Sequence, residues 1–225
     1  MSNKKAIYTV ASVFLLIAII SCDDGPIPPL EEPPYCHYMP TDVGNKWEYR
    51  VTVDSKYNPR EEYKLVYEIK TTEQVYKGFP LAYVITVTKE GAPSYIYAAC
   101  RKVDEDDVIC YIERTMWAYL VQDKMDVGVW TQTGLVYDKP LEYVRDVSVK
   151  VPAGEWPCRE LAFDNESESK PEVWREYYAE DVGLVKYVNN YKEYKGSEPP
   201  ELVDWRNEVH ELVAYAVKEH PKNTN

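Results

Sequence analysis

Glycine and histidine are scarce in this 225-residue chain, at nine and three, and no glycine-rich loop is present. Neither a phosphate cradle nor a histidine metal site is expected. Positive charge is short as well. With 26 Lys+Arg against 38 Asp+Glu and a net charge of −12, the chain lacks the basic footprint that would wrap nucleic acid or grip an anionic membrane. No Gly-x-Ser-x-Gly elbow occurs, and His37, His210 and His220 fall in a linker, an ambiguous terminal segment and a tail, so no serine triad is expected. No Cys-x-x-Cys pair exists to hold zinc. The acidic run Asp104, Glu105, Asp106, Asp107 lacks the glycine and terminal Glu of a calcium loop and reads as a solvated hairpin tip. No catalytic residue, metal ligand or cofactor is expected, and the chain does not read as an enzyme.

Long hydrophobic runs are also few. The one that stands out covers 6–20, behind Lys4 and Lys5 and before Ser21 and Cys22. A charged start, an apolar stretch too short to span comfortably and a small residue at the cut describe a secretion signal. Ile19, Ile20, Ser21 and Cys22 resemble the lipobox of bacterial lipoproteins, in which the thiol is acylated, by palmitate or a similar chain, and the peptide is then cut in front of it. Residues 1–21 are thus read as a signal peptide and Cys22 as the lipid attachment site, which places the protein in the cell envelope outside the cytoplasm. Each buried methylene contributes about 0.8 kcal/mol, so two or three chains on one cysteine anchor the protein stably. Asp23 and Asp24 flank the cysteine without deciding the membrane leaflet.

Residues 22–40 carry Pro26, Pro28, Pro29, Pro33, Pro34 and Pro40 and read as an extended tether. At about 3.1 Å per residue it reaches roughly 50 Å. A folded domain is expected over 41–219, with a tail at 220–225.

What the chain has in excess is aromatics, 21 Tyr and 6 Trp, which suit half-buried strands. Period-2 alternation begins at once. Trp47, Tyr49, Val51 and Val53 share one face of 46–54, and Lys46, Glu48, Arg50, Thr52 and Asp54 share the other. Tyr63, Leu65, Tyr67 and Ile69 repeat the pattern, followed by Leu81, Tyr83, Ile85 and Val87. Further strands are read at 94–103, 107–113, 116–121, 143–151, 159–163, 173–180 and 184–194. Short connections and the lack of room for crossover helices make this an all-β, antiparallel meander, forming a barrel or a strongly curved half-barrel. The C-terminus fits two periods. Leu202, Trp205, Val209, Leu212 and Ala216 suit a short helix, whereas 209–217 also alternates as a closing strand.

Three stretches resemble a group of uncharacterised bacterial envelope lipoproteins. Val43, Gly44, Asn45, Lys46, Trp47, Glu48 and Tyr49 are similar to the group's opening Gly-Asn-x-Trp-x-Tyr strand. The stretch from Val151, Pro152, Ala153 and Gly154 through Trp156 to Cys158 resembles its Val-Pro-Ala-Gly-aromatic-x-Cys stretch. Val182, Gly183, Leu184, Val185 and Lys186 resemble its late Val-Gly-Leu-Val-Lys hairpin. The resemblance implies a carrier-like barrel or half-barrel that closes with a C-terminal hairpin, and it brings no catalytic residues.

Four cysteines follow Cys22: Cys36, Cys100, Cys110 and Cys158. A hairpin centred on Glu105 would set Cys100 opposite Cys110, either as a disulfide or as two buried thiols. The expected function is a membrane-tethered, non-catalytic binding module for an apolar or lipid-like envelope ligand, held by Trp47, Tyr49, Tyr67, Tyr83 and Trp156. The alternative is a structural or protein-interaction lipoprotein whose core those aromatics fill.

Overall fold

The computed structural model describes residues 35–219 apart from 59, 77–78, 90–91, 105–106, 115–116, 123–140 and 197–198, and over much of 72–122 it describes the backbone alone. Alternation in sequence becomes alternation in burial: β1 (Lys46–Ser55) buries Trp47, Tyr49, Val51 and Val53 and leaves the residues between them partly or fully wet. Hairpins continue through β2 (Glu61–Tyr76), β3 (Phe79–Lys89), β4 (Ala92–Asp104), β5 (Asp107–Arg114) and β6 (Trp117–Gln122). A second meander runs through β7 (Glu142–Val151), β8 (Gly154–Asn165), β9 (Glu172–Ala179), β10 (Gly183–Lys195) and β11 (Glu201–Ala216).

The two meanders are one antiparallel sheet, ordered β6-β5-β4-β3-β2-β1-β11-β10-β9-β8-β7. β11 joins them, pairing with β1 on one side and β10 on the other. The helix alternative at the C-terminus is therefore corrected to a 16-residue strand. A strand satisfies the inner ladder edges of both β1 and β10, which a helix would leave open. The barrel alternative is corrected too. Among the described residues the edge strands β6 and β7 do not pair with each other, and the sheet stays open. It is strongly curved nonetheless: β7 approaches β10 and β11, so the second meander rolls over its own inner face. Register shifts in β1, β9–β10 and β10–β11 supply the local bends such rolling needs.

The core lies inside that roll. Trp47, Tyr49, Val51, Ile69, Leu161, Trp174, Tyr178, Val185 and Leu212 are buried together there. Two glycines have required geometry. Gly183 adopts φ +91°, and a Cβ there would sit 3.4 Å from the Pro40 ring and 3.5 Å from the Trp47 indole nitrogen. Gly44, at φ +97°, turns the chain into β1 and donates its amide to the Ile69 carbonyl at 2.8 Å.

The tether boundary also moves. Residues 35–40, expected to be free chain, are packed on the domain: Cys36 and Pro40 are buried, and Tyr38 lies over the buried Arg159 guanidinium at 3.9 Å. Asp181 donates its amide to the His37 carbonyl at 2.8 Å, and its carboxylate meets the His37 ring nitrogen Nδ1 at 2.7 Å. The segment is held because it covers the pole where β1 begins and β9 turns into β10. Among the described residues no helix is long and apolar enough to cross a membrane. The segments 1–21 and 220–225 and the thiol of Cys22 lie outside the described residues.

Candidate functional site

The expected ligand-lining residues do not form one open site. Trp47 and Tyr49 are buried, and their polar ends are committed to backbone: the Trp47 indole donates to the Val182 carbonyl at 2.6 Å and the Tyr49 hydroxyl to the Leu184 carbonyl at 2.8 Å. Tyr67 packs edge-on against Tyr49, with ring centroids 5.2 Å apart. Trp156 is half-buried at the core margin, edge-on to the exposed Tyr215 at 6.0 Å. The backbone of Tyr83 sits in β3 opposite Ala98, and its side chain lies outside the described residues. Three of the five thus stabilise the packed roll rather than line a cavity.

Register places Cys100 directly opposite Cys110, as the hairpin reading expected. Their side chains lie outside the described residues. Cys36 is disulfide-bonded, and Cys158 is a buried free thiol.

The inner face contains polar groups that composition did not reveal. Glu176, fully buried, accepts from the Trp174 indole at 3.2 Å and from the Tyr178 hydroxyl at 2.5 Å. His210 lies against Tyr187, with ring centroids 4.7 Å apart, and its Nε2 meets Glu208 at 2.6 Å. Arg206 binds the other Glu208 oxygen at 2.6 Å. Burial raises the pKa of Glu208, but hydrogen bonding from His210 and the charges of His210 and Arg206 outweigh it and hold the carboxyl below its ordinary range. Glu176 is held by its two strand neighbours, and Glu208 links the buried His210 to the exposed Arg206.

A cleft of ≈ 630 Å³ opens on the other face, at the ends of β9, β10 and β11. It is lined by Pro171 and Val173 before and in β9, by Asn190, Tyr191, Lys192 and Tyr194 in β10, and by Leu202, Trp205, Arg206 and Asn207 in β11. Pairing explains the set. Asn190 stands opposite both Asn207 and Val173, Lys192 opposite Trp205, and Tyr194 opposite Leu202. Strand alternation points Tyr191 and Arg206 to the opposite face, where the Tyr191 hydroxyl donates to Glu193 at 2.7 Å and Arg206 meets Glu208. The Glu193 hydrogen bond, with burial, pushes the Tyr191 phenol up to about 12, so it stays a neutral donor. Among the described residues no carboxylate lines the cleft.

None of these residues was singled out as a ligand contact by sequence reasoning. Trp205 and Leu202 belong to the helical alternative for the C-terminus, and Asn190 and Lys192 fall in the strand read at 184–194 with no role of their own. The signal that could have found them is the hairpin register, which brings two asparagines and two aromatics into one row.

No family model and no curated protein matches the chain. Among solved structures, the chain is similar to a Bacteroides fragilis protein named, provisionally, as exported and of YmcC-like fold. That likeness has a TM-score of 0.47 and 14% identity and covers 80% of this chain and 99% of the other. It is also similar to a provisionally named lipoprotein of Parabacteroides distasonis, with TM-score 0.36 and 10% identity, covering 82% and 100%. Neither likeness assigns chemistry to a residue of this chain.

Proposed function

We propose that the chain is a lipid-anchored binding module of the cell envelope, non-catalytic, which takes its ligand in the cleft at the ends of β9, β10 and β11. The address rests on the lipobox-like Cys22 and its signal, and on the resemblance to envelope lipoproteins. The observation that carries the binding reading is the cleft itself: its volume is within the range of small-molecule sites, and it sets exposed Val173 and Leu202 beside Trp205, Tyr194 and two amides. A ligand with an apolar face and hydrogen-bonding groups matches that lining. The ligand reading therefore moves from the packed aromatics of the roll to its outer face.

The second reading, an interaction or structural lipoprotein, draws on Trp47, Tyr49 and Tyr67, which fill the core as that alternative requires. Full-length protein purified from its host in detergent separates the two. Native mass spectrometry is expected to show a co-purifying small molecule that Trp205→Ala loses. A ligand-free wild type that elutes with a stoichiometric protein partner would overturn the binding reading. Cys22→Ala is expected to leave the protein unacylated and released from membranes; a substituted protein still acylated and sedimenting would refute the anchor.

A further inference from the structure

From this lining we infer that the cleft's occupant is an acidic saccharide segment, sugar rings that carry carboxylate or sulfate groups. The inference rests on the reading above that the cleft is a ligand site. Four features of the cleft support that class over an acyl chain.

The first is the amide pair. Asn190 and Asn207 are direct cross-strand partners, and neither side chain has a partner among the described residues. Directly opposed residues hold their Cβ atoms about 4.5–5.5 Å apart. Each amide offers both a donor and an acceptor, as does each hydroxyl of a vicinal pair on a sugar ring. An acyl chain laid over the same amides would strip their water and return no hydrogen bond.

The second is the aromatic pair. Trp205 and Tyr194 are half-buried and exposed enough to present surface beside Val173 and Leu202. The C–H face of a pyranose ring is flat and apolar, and it matches such a platform while its hydroxyls point to the rim.

The third is charge. On a chain with 38 acidic residues, none of the described carboxylates lines the cleft, and Lys192 stands in its row opposite Trp205 without a carboxylate partner among the described residues. An exposed ammonium with no counter-charge among the described residues, set among amides, selects an anionic substituent.

The fourth is position. Residues 35–40, the root of the tether, bind where β10 begins at Gly183, and Lys192 lies nine residues further along that strand. At about 3.3 Å per residue the cleft is roughly 30 Å from the root. It lies at the end of β10 away from residues 35–40, so that packed segment leaves it open to a long polar chain.

Full-length wild type in detergent would be titrated by calorimetry with trigalacturonate, a sulfated galactose trisaccharide, the methyl ester of trigalacturonate, and palmitate. Binding of either acidic trisaccharide is expected, with the neutral ester about tenfold weaker. Lys192→Gln is expected to bring acid and ester to equal affinity, and Trp205→Ala to weaken both at least tenfold. Palmitate binding that Trp205→Ala abolishes, with no response to the saccharides, would overturn the saccharide class and keep the cleft as a ligand site. No Trp205-dependent binding of any probe, with the thermal transition of Trp205→Ala unchanged from wild type, would overturn both. Equal binding of acid and ester by wild type would overturn the role of Lys192.

Discussion

Trp47→Ala tests the packing of the roll at the point where it meets the tether. The indole is 3% exposed, donates to the Val182 carbonyl at 2.6 Å and lies against Gly183, which can approach because it lacks a Cβ. A fully buried Trp removes about 200–250 Å² from water, worth roughly 5–6 kcal/mol at 25 cal/mol per Å². Alanine retains part of that area and the cavity relaxes in part, so about 3–5 kcal/mol of lost stability is expected. Trp47→Phe separates two contributions. It keeps most of the ring but leaves the Val182 carbonyl without its donor in a dry site, costing about 1–3 kcal/mol. The assay is urea unfolding followed by near-UV circular dichroism, with the slope checked for two-state behaviour. The loss should reach beyond β1, because the Val182 carbonyl belongs to the turn whose Asp181 amide holds His37. Limited proteolysis around residues 35–40 is therefore expected to accelerate in Trp47→Ala. An unchanged midpoint would mean the face assignment of β1 is inverted.

Cys158 should be chemically silent: burial pushes its thiol up to about 12, so the thiolate fraction at pH 8 is about one in ten thousand. Alkylation mapped by peptide mass spectrometry is expected to miss Cys158 in native protein and find it after unfolding; native labelling would refute its burial. The Glu208 carboxyl, held low by His210 and Arg206 against the cost of burial, contributes stability that is complete above the ordinary carboxylate value near 4.5 and disappears as pH falls through its depressed folded value. Glu208→Gln is expected to flatten that acid limb, and identical limbs would remove Glu208 from the account.

Strand positions were legible in the sequence because one face of each strand is buried. Alternation at Trp47, Tyr49, Val51 and Val53 places β1 to within a residue, and symmetry about Glu105 gives the Cys100–Cys110 register. The C-terminal strand was legible only as one of two alternatives, since Leu202 and Trp205 belong to the outer cleft and Leu212 to the inner core. Their three-and-four spacing mixes two faces, and only pairing with β1 and β10 resolves it. Glu176 was hidden for a related reason: it sits on the face of Trp174 and Tyr178, where a carboxylate is tolerated only because both neighbours donate to it. The cleft needs three strands in register, and its residues are ordinary wet-face positions until that register is known.

The cysteines connect the anchor to the fold in a way that can be tested. Cys36 is disulfide-bonded and Cys158 is free, so the partner of Cys36 is Cys22, Cys100 or Cys110. A thiol carrying lipid cannot also form a disulfide. If Cys22 is acylated, Cys36 must bond to Cys100 or Cys110, and a bridge between those two is then excluded even though their backbones face each other. Packing favours the same conclusion, because Cys36 touches Val108 in β5, the strand that also carries Cys110. Non-reducing digestion of the mature lipoprotein, followed by mass spectrometry, is expected to yield a peptide joining Cys36 to the β4–β5 hairpin, and no peptide closed between Cys100 and Cys110. The bond would fix the root of the tether to the first meander, while Asp181 and Arg159 hold it to the second. Cys36→Ser should therefore loosen residues 35–40 without releasing the protein from the membrane. Recovery of a Cys22–Cys36 disulfide together with a Cys100–Cys110 bridge would refute the assignment, and it would refute acylation of Cys22 in the same measurement.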